Sequence, residues 1–342
     1  MKDTVKKKSP LKLTLIIVLS VVLFLCAALL TFIGVYKLTV KDYYSASEKS
    51  FVIPGLRSGF VPQGLEYDGT NDYFIVTGYM KKGGASPLYL VKGSTGETEK
   101  QVILLTPDGA EYDGHGGGVA LYNNKFLYVT NGSALLVYNY KNVLECSDEQ
   151  AVECLGEFKT STDDDHVNLA FVTISGSKLI AGEFYRAKKY PTPDSHKITT
   201  KYGDYNQALA VEYSLGSQYA LGIANTPSKA YSLPDQVQGM HINGDKIYLS
   251  TSWGLSFSHI LEYNRYGIEK QDDITVLGST VPLYALDGKS LLNDYKIAPM
   301  SEGLHFMDGY LYVMSESAST KYVFGNLIGG KWCYKTDLNK MK

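Results

Sequence analysis

The feature that most constrains this chain is a recurring hairpin. Gln238 to Trp253 reads QGMHINGDKIYLSTSW, and related stretches are QGLEYDGTNDYFIVTG from Gln63, GGVALYNNKFLYVTNG from Gly117, AFVTISGSKLIAGEF from Ala170 and EGLHFMDGYLYVMSES from Glu302. Each is an apolar strand, a tight turn of Asn, Asp, Ser or Gly, and a second strand rich in Tyr, Val, Ile and Leu. One such hairpin cannot bury its own apolar faces, so copies about 50 to 70 residues apart must pack on one another. Four-stranded units at that period predict an all-β fold, a β-propeller.

Ahead of the repeats runs LTLIIVLSVVLFLCAALLTFIGVY, uncharged from Leu13 to Tyr36. About 20 apolar residues cross a bilayer as a helix, so this run is long enough to span. Lys2, Lys6, Lys7, Lys8 and Lys12 precede it, which by the positive-inside rule keeps residues 1–12 as a cytoplasmic basic tail and exports the rest. A cleaved signal peptide would have a core of about 7–15 residues with a small-residue site behind it; here Ala27 and Ala28 are followed by Leu29 and Leu30, inside the apolar run. The expectation is a single-pass signal anchor at 13–36, a polar stalk at 37–49 and an extracytoplasmic propeller at 50–342.

Export bears on the cysteines. Cys26 lies in the apolar run after Leu25, which does not fit a lipobox, while Cys146 and Cys154 bracket the polar segment SDEQAVE. Their closeness between two strand-like runs predicts a local disulfide in an oxidising compartment, with reduced thiols as the alternative. No CxxC or Cys/His spacing marks a zinc site.

With 28 Tyr, 33 Gly and only 11 Pro, the composition suits short strands joined by tight turns. The net charge of −2 includes the basic tail, and no basic stripe is available for phosphates, which excludes nucleic acid as the expected partner. The first two repeats supply four strands each, and three are recognisable in each of the third and fourth. The third carries the polar insertion RAKKYPTPDSHKITTKYGDYNQ, and the fourth has an excursion through VPLYALDGKSLLNDYKIAP. In the fifth, KYVFGN reads as a third strand and GGKWCYKTDLNKMK as too polar for a fourth. Ser50 to Leu56 is expected to complete that blade and close the ring. Five blades result, or six if the excursion hides a degenerate repeat.

The segments PQGLEYDG and GHGGGVALYNN resemble secreted or membrane-anchored bacterial propellers carrying PQGL and GHxGG motifs. More distantly, QGL-x-YDG is similar to plant-type glutaminyl cyclotransferases, and the QGL, QGM and EGL starts resemble the EGP-type starts of SMP-30, gluconolactonase and strictosidine synthase propellers. The last resemblance implies a calcium ion in the central channel with Glu302 as a ligand. Gln63 and Gln238 hold the equivalent positions here, and neutral amides bind calcium less strongly than carboxylates.

Strand alternation places Glu66, His241 and His305, the fourth residues of three starts, toward the axis on neighbouring blades. Gln63, Gln238 and Glu302 are expected at the channel mouth. Such a set could hold a divalent metal, with Glu302, His241 and His305 as ligands, or act as acid and base; inter-blade hydrogen bonding is the alternative. His115 and His166 enter the second and third blades from one side, the latter behind Asp163, Asp164 and Asp165. These eight residues are the channel and ligand candidates. No nucleophile motif accompanies Ser252. Tyr79, Tyr185, Tyr190, Trp253 and Phe257 lie at or beyond second-strand ends, suited to sugar or peptide recognition, although Trp253 is expected to pack between blades.

Two functions follow from these observations. The first is a membrane-tethered propeller binding an extracellular ligand or partner. The alternative is an extracytoplasmic enzyme, either a metal-dependent hydrolase or lactonase or a glutaminyl cyclotransferase-like protein.

Overall fold

The computed structural model describes residues 10–322 and 324–341; Lys2, Lys6, Lys7 and Lys8 of the expected tail lie outside them. The chain is a five-bladed β-propeller behind one long apolar helix. Blade 1 is built from Phe60–Asp68, Tyr73–Met80, Pro87–Lys92 and Thr98–Leu104, and blade 2 from Val119–Tyr122, Phe126–Thr130, Ala134–Asn139 and Cys154–Lys159. Blade 3 comprises Leu169–Ser175, Lys178–Glu183, Ala208–Ser214 and Lys229–Leu233. Val237–Asn243, Lys246–Thr251, Ser258–Asn264 and Leu291–Ile297 form blade 4.

Blade 5 is Ser301–Met307, Tyr310–Ser315, Trp332–Thr336 and, outermost, Ser47–Val52. The N-terminal segment therefore closes the ring, as expected, but over a span starting three residues earlier than Ser50. Ser47 pairs with Thr336 and Val52 with Trp332. The third strand is WCYKT and not KYVFGN. Gly325–Ile328 instead forms a short helix in the connection, because Gly329, at a φ of +91°, turns the chain back in a left-handed cap.

No sixth blade exists among the described residues. The excursion after Asn264 lends Leu283–Ala285 and Glu269–Lys270 to the edge of blade 3 and folds Ile274–Val276 with Ser279–Val281 as a separate hairpin. Covering an edge strand in this way removes unpaired backbone groups from solvent.

The repeated glycines have a steric reason. A Cβ on Gly303 would lie 2.5 Å from Leu65 N, and one on Gly118 2.5 Å from Val172 N. Innermost strands of neighbouring blades thus touch backbone to backbone where QGL, GGV, QGM and EGL recur. Outside that contact, aromatic and branched residues fill the spaces between blades. Tyr112, Tyr128, Tyr138, Tyr140 and Tyr213 are among the largest fully buried side chains, and burial requires a partner for each hydroxyl. Tyr140 donates to Asp68 Oδ2 at 2.9 Å, linking blades 2 and 1, and Tyr112 donates to the Thr130 carbonyl at 2.8 Å.

The predicted disulfide is not formed. Tyr140–Glu145 is a helix and Ala151–Val152 pairs in parallel with blade 1, so the intervening segment is not the simple hairpin its polarity suggests. Cys146 and Cys154 are free thiols, directed to the carbonyls of Val143 (3.3 Å) and Gly156 (3.2 Å) respectively.

The apolar helix spans Pro10–Thr39, long enough at about 1.5 Å per residue to cross a bilayer, and its residues before Ile33 project away from the propeller. The expected stalk is not free. Val40 and Tyr43 are buried with Ile297, Leu304 and Tyr334, in the seam between blades 4 and 5, and Lys41–Ser45 is a short helix leading into the closing strand.

Candidate ligand-binding cavity

All five innermost strands narrow the axis to a space of only about 20 Å³, lined by Glu66, Gly118, Gln238, His241, Gly303 and His305 among others. The three polar groups predicted to converge do so. His305 Nδ1 lies 2.8 Å from Glu66 Oε1, and the His241 and His305 rings meet edge to face at 4.5 Å. Glu66 Oε1 also accepts from Tyr67 N at 2.8 Å. Burial, followed by the neighbouring His305, holds the His241 pKa well below the ordinary imidazole value. This end of the channel is a narrow polar plug closed by the Glu66–His305 pair and the His241 ring.

Glu302 does not join it. It faces the opposite end of the channel, where the second-to-third-strand connections surround a cavity of about 520 Å³. The proposed ligand set of Glu302, His241 and His305 is therefore split between the two ends. Among the described residues no group of three or more His, Cys, Asp or Glu side chains is placed to hold a metal ion.

The wide cavity unites four of the sequence candidates, Gln63, His115, Gln238 and Glu302. Gln63 is the centre of its floor: its Oε1 lies 2.8 Å from His115 Nε2, and its Nε2 donates to Glu316 Oε2 at 3.2 Å and to the Pro62 carbonyl at 2.8 Å. Gln238 Nε2 donates to Glu302 Oε1 at 3.3 Å. His115 stacks on Tyr79 with ring centres 4.2 Å apart. Its other edge is exposed to the open cavity, with protein packed densely around the rest of the ring. Desolvation, then the charge of Lys321, lowers its pKa to about 4, so it is neutral at neutral pH.

Two carboxylates share this floor. Burial raises the Glu302 carboxyl well above its usual range, the negative charge of Glu316 raises it further, and Lys321 offsets only part of this. Glu316 is also raised by burial, against the opposing effects of Lys321 and of hydrogen bonds from Tyr322 and Gln63. Like charges in one desolvated site cannot both ionise at ordinary cost, so the pair favours holding a proton.

The walls are aromatic. Phe184, Tyr190 and Trp253 form one side, with Phe184 and Tyr190 edge to face at 5.4 Å and Tyr190 and Trp253 at 6.1 Å. Lys189 Nζ lies 4.7 Å from the Trp253 ring centre and Arg186 stacks over the same ring at 4.4 Å. Tyr79 and Tyr322 form the other side, with Lys321 Nζ 5.0 Å from each ring centre. Trp253 thus lines the cavity and does not pack between blades. Tyr185 is buried and Phe257 packs on Tyr36.

His166 stays outside. Its side chain is exposed, and Asp165 beside it is committed to His196 Nε2 at 3.2 Å and to Leu277 N at 2.8 Å. Sequence reasoning missed Glu316, Lys321, Tyr322, Phe184 and Asn168. Glu316 directly follows the second strand of blade 5, the position Ser252 holds in blade 4 one residue before Trp253, so attention to strand ends would have found it.

No protein-family profile matches the chain, and no curated protein matches it. Among solved structures, BamB from Moraxella catarrhalis is 9% identical with a TM-score of 0.32, covering 75% of this chain and 82% of that one. Kluyveromyces lactis Hsv2 is 9% identical at a TM-score of 0.30, over 75% of this chain and 60% of that one. Kuenenia stuttgartiensis hydrazine synthase is 9% identical at 0.31, over 74% of this chain; the match spans 55% of that chain. Likeness at this level says nothing of activity, and the five-bladed architecture stands on this chain's own strand order.

Proposed function

We propose that the protein is a membrane-tethered propeller that binds a small organic ligand in its wide cavity, with the N-terminal helix as anchor and the lysine-rich tail on the cytoplasmic side. The observation that carries this is the cavity itself: about 520 Å³ of space, aromatic walls and a convergent polar floor of Gln63, His115, Gln238, Glu302 and Glu316. Pockets of this size with few, fixed polar groups are the usual architecture of ligand sites. A ligand with a ring or alkyl body and hydrogen-bond donors matches the walls and the acceptor-rich floor.

The test is a thermal-shift panel of amines, amino acids, sugars and aromatic acids against the full chain in detergent. A hit should raise the Tm in proportion to its concentration, and Trp253→Ala and Glu302→Gln should each abolish the shift while keeping the fold. A hit whose shift survives both substitutions would overturn the cavity as the binding site.

An enzymatic reading is favoured by one observation, the Glu302 and Glu316 pair, in which one protonated and one ionised carboxyl could serve as acid and base. Turnover of a bound ligand, lost in both Glu302→Gln and Glu316→Gln while binding persists, would establish it. The metal-dependent form of that reading lacks a ligand set among the described residues.

A further inference from the structure

We infer that the wide cavity opens against the bilayer and takes the headgroup of an amine-bearing phospholipid, with the amine toward Glu302 and Glu316 and the phosphate between Lys189 and Lys321. The inference rests on the ligand-binding reading above and names its ligand class and its source.

The orientation follows from where the anchor meets the ring. Tyr36, near the end of the long helix, donates to the Leu255 carbonyl at 3.1 Å, and its ring lies 4.7 Å from that of Phe257. Leu255 and Phe257 belong to the connection between the second and third strands of blade 4, the same connection whose Ser252, Trp253 and Gly254 line the cavity. Tyr44 donates to the Ile328 carbonyl at 2.6 Å, in the corresponding connection of blade 5, which supplies Glu316, Lys321 and Tyr322 to the cavity. The helix thus leaves the propeller from the face that carries the mouth. Contacts with the connections of two neighbouring blades, followed by Val40 and Tyr43 buried in the seam between them, fix the helix end to that face and leave no slack linker by which the ring could turn over.

The rim fits such a surface. Leu255 is 64% exposed and Leu327 43% exposed, both in the connections that hold the helix, as apolar groups at a headgroup boundary would be. Lys189 and Lys321 are exposed at the mouth, and neither forms an ion pair with a described carboxylate within 4 Å. Charge therefore changes sign with depth, cationic at the rim and carboxylate at the floor. A phosphate linked to a primary ammonium by a short alkyl chain presents the complementary order, phosphate nearest the bilayer side and ammonium leading inward.

The test uses the full chain in nanodiscs. Trp332→Phe leaves Trp253 as the remaining tryptophan of the two; where this variant is unstable, the difference between the native chain and Trp253→Phe isolates the same signal. In phosphatidylcholine discs doped with a headgroup nitroxide lipid, Trp253 fluorescence should be quenched. Absence of quenching places the mouth away from the bilayer and overturns the inference. With phosphatidylethanolamine added, Trp253 emission should change saturably, and Glu302→Gln with Glu316→Gln should raise the half-maximal mole fraction about tenfold, as expected from losing hydrogen bonds to charged groups. The same response to phosphatidylglycerol, or no effect of the double substitution, also overturns it. Soluble phosphoethanolamine in detergent separates the layers of the argument: its binding without nitroxide quenching leaves the cavity reading standing and removes the membrane as its source.

Discussion

His196 Nδ1 lies 3.0 Å from both carboxylate oxygens of Glu183, and the pair is almost wholly withdrawn from solvent. Glu183 ends the second strand of blade 3, whereas His196 belongs to the polar insertion between that strand and the third. Glu183 Oε2 also accepts from Leu209 N at 2.9 Å, and Asp165 holds the far side of the imidazole. The insertion that supplies Lys189 and Tyr190 to the cavity is thereby pinned to the blade.

Breaking that pin should be costly, because removing one partner leaves a buried charge unpaired. His196→Ala is expected to lose about 3–5 kcal/mol and to expose the insertion to proteolysis. Burial alone would lower the His196 pKa, but the hydrogen bond and charge of Glu183, with Asp165, raise it overall. A raised folded pKa means the contribution is complete below the unfolded value near about 6.5 and is lost as pH rises through the folded one. Denaturation of the native chain from pH 6 to 9 should show this decline, and an unchanged slope in His196→Ala would refute the assignment.

The acidic floor has its own pH signature. The carboxyl of Glu302 is raised by burial and by Glu316, so its ionisation opposes folding and stability falls as pH rises through the folded pKa. Glu302→Gln should therefore melt higher than the native chain at pH 8, and the two should converge near pH 4, where both side chains are neutral. A Tm for the variant below that of the native chain at pH 8 would show Glu302 to be stabilised as an anion.

The N-terminal segment should behave as part of the propeller. Tyr43 is 3% exposed and packs edge to face on Tyr334 at 5.7 Å. Tyr43→Ala should cost about 3 kcal/mol, in line with emptying a buried aromatic site, and chemical denaturation would measure it. A loss below 1 kcal/mol would restore a free stalk.

At the plugged end, Glu66→Gln and His305→Ala should lower the Tm by weakening or removing the 2.8 Å pair, leaving a partly buried group unsatisfied at about 1 kcal/mol. Equilibrium dialysis against zinc should show no stoichiometric binding in either variant or in the native chain. Stoichiometric zinc that vanishes in His305→Ala would make the plug a metal centre.

The hairpin repeat was legible because propeller packing is local and periodic: glycine is demanded where innermost strands touch, apolar residues where blades face each other. The convergence of Glu66, His241 and His305 was legible for the same reason, being a matter of equivalent positions on adjacent strands. Blade 5 was misread in detail. WCYKT reads as too polar to pair yet forms the third strand, and the described residues of KYVFGN lie in a connection although the segment looks apolar enough to pair, since only the register of Ser47–Val52 with Trp332–Thr336 decides which segment completes the sheet.

What the sequence by itself determined is therefore whatever depends on spacing along the chain: an apolar helix, the hairpins, the ring they imply and the polar positions near its axis. Tertiary structure decided which end of the axis each polar group faces. In the innermost strand of blade 5 the register shifts between Ser301 and Leu304, and Glu302 and His305 serve opposite ends of the channel. It also decided that Glu316, far from Gln63 in sequence, shares a hydrogen bond with it, and that the helix end sits beside the open mouth. Such meetings arise from closing the ring between its first and last strands, and no local pattern encodes a contact that exists only once the ring is shut.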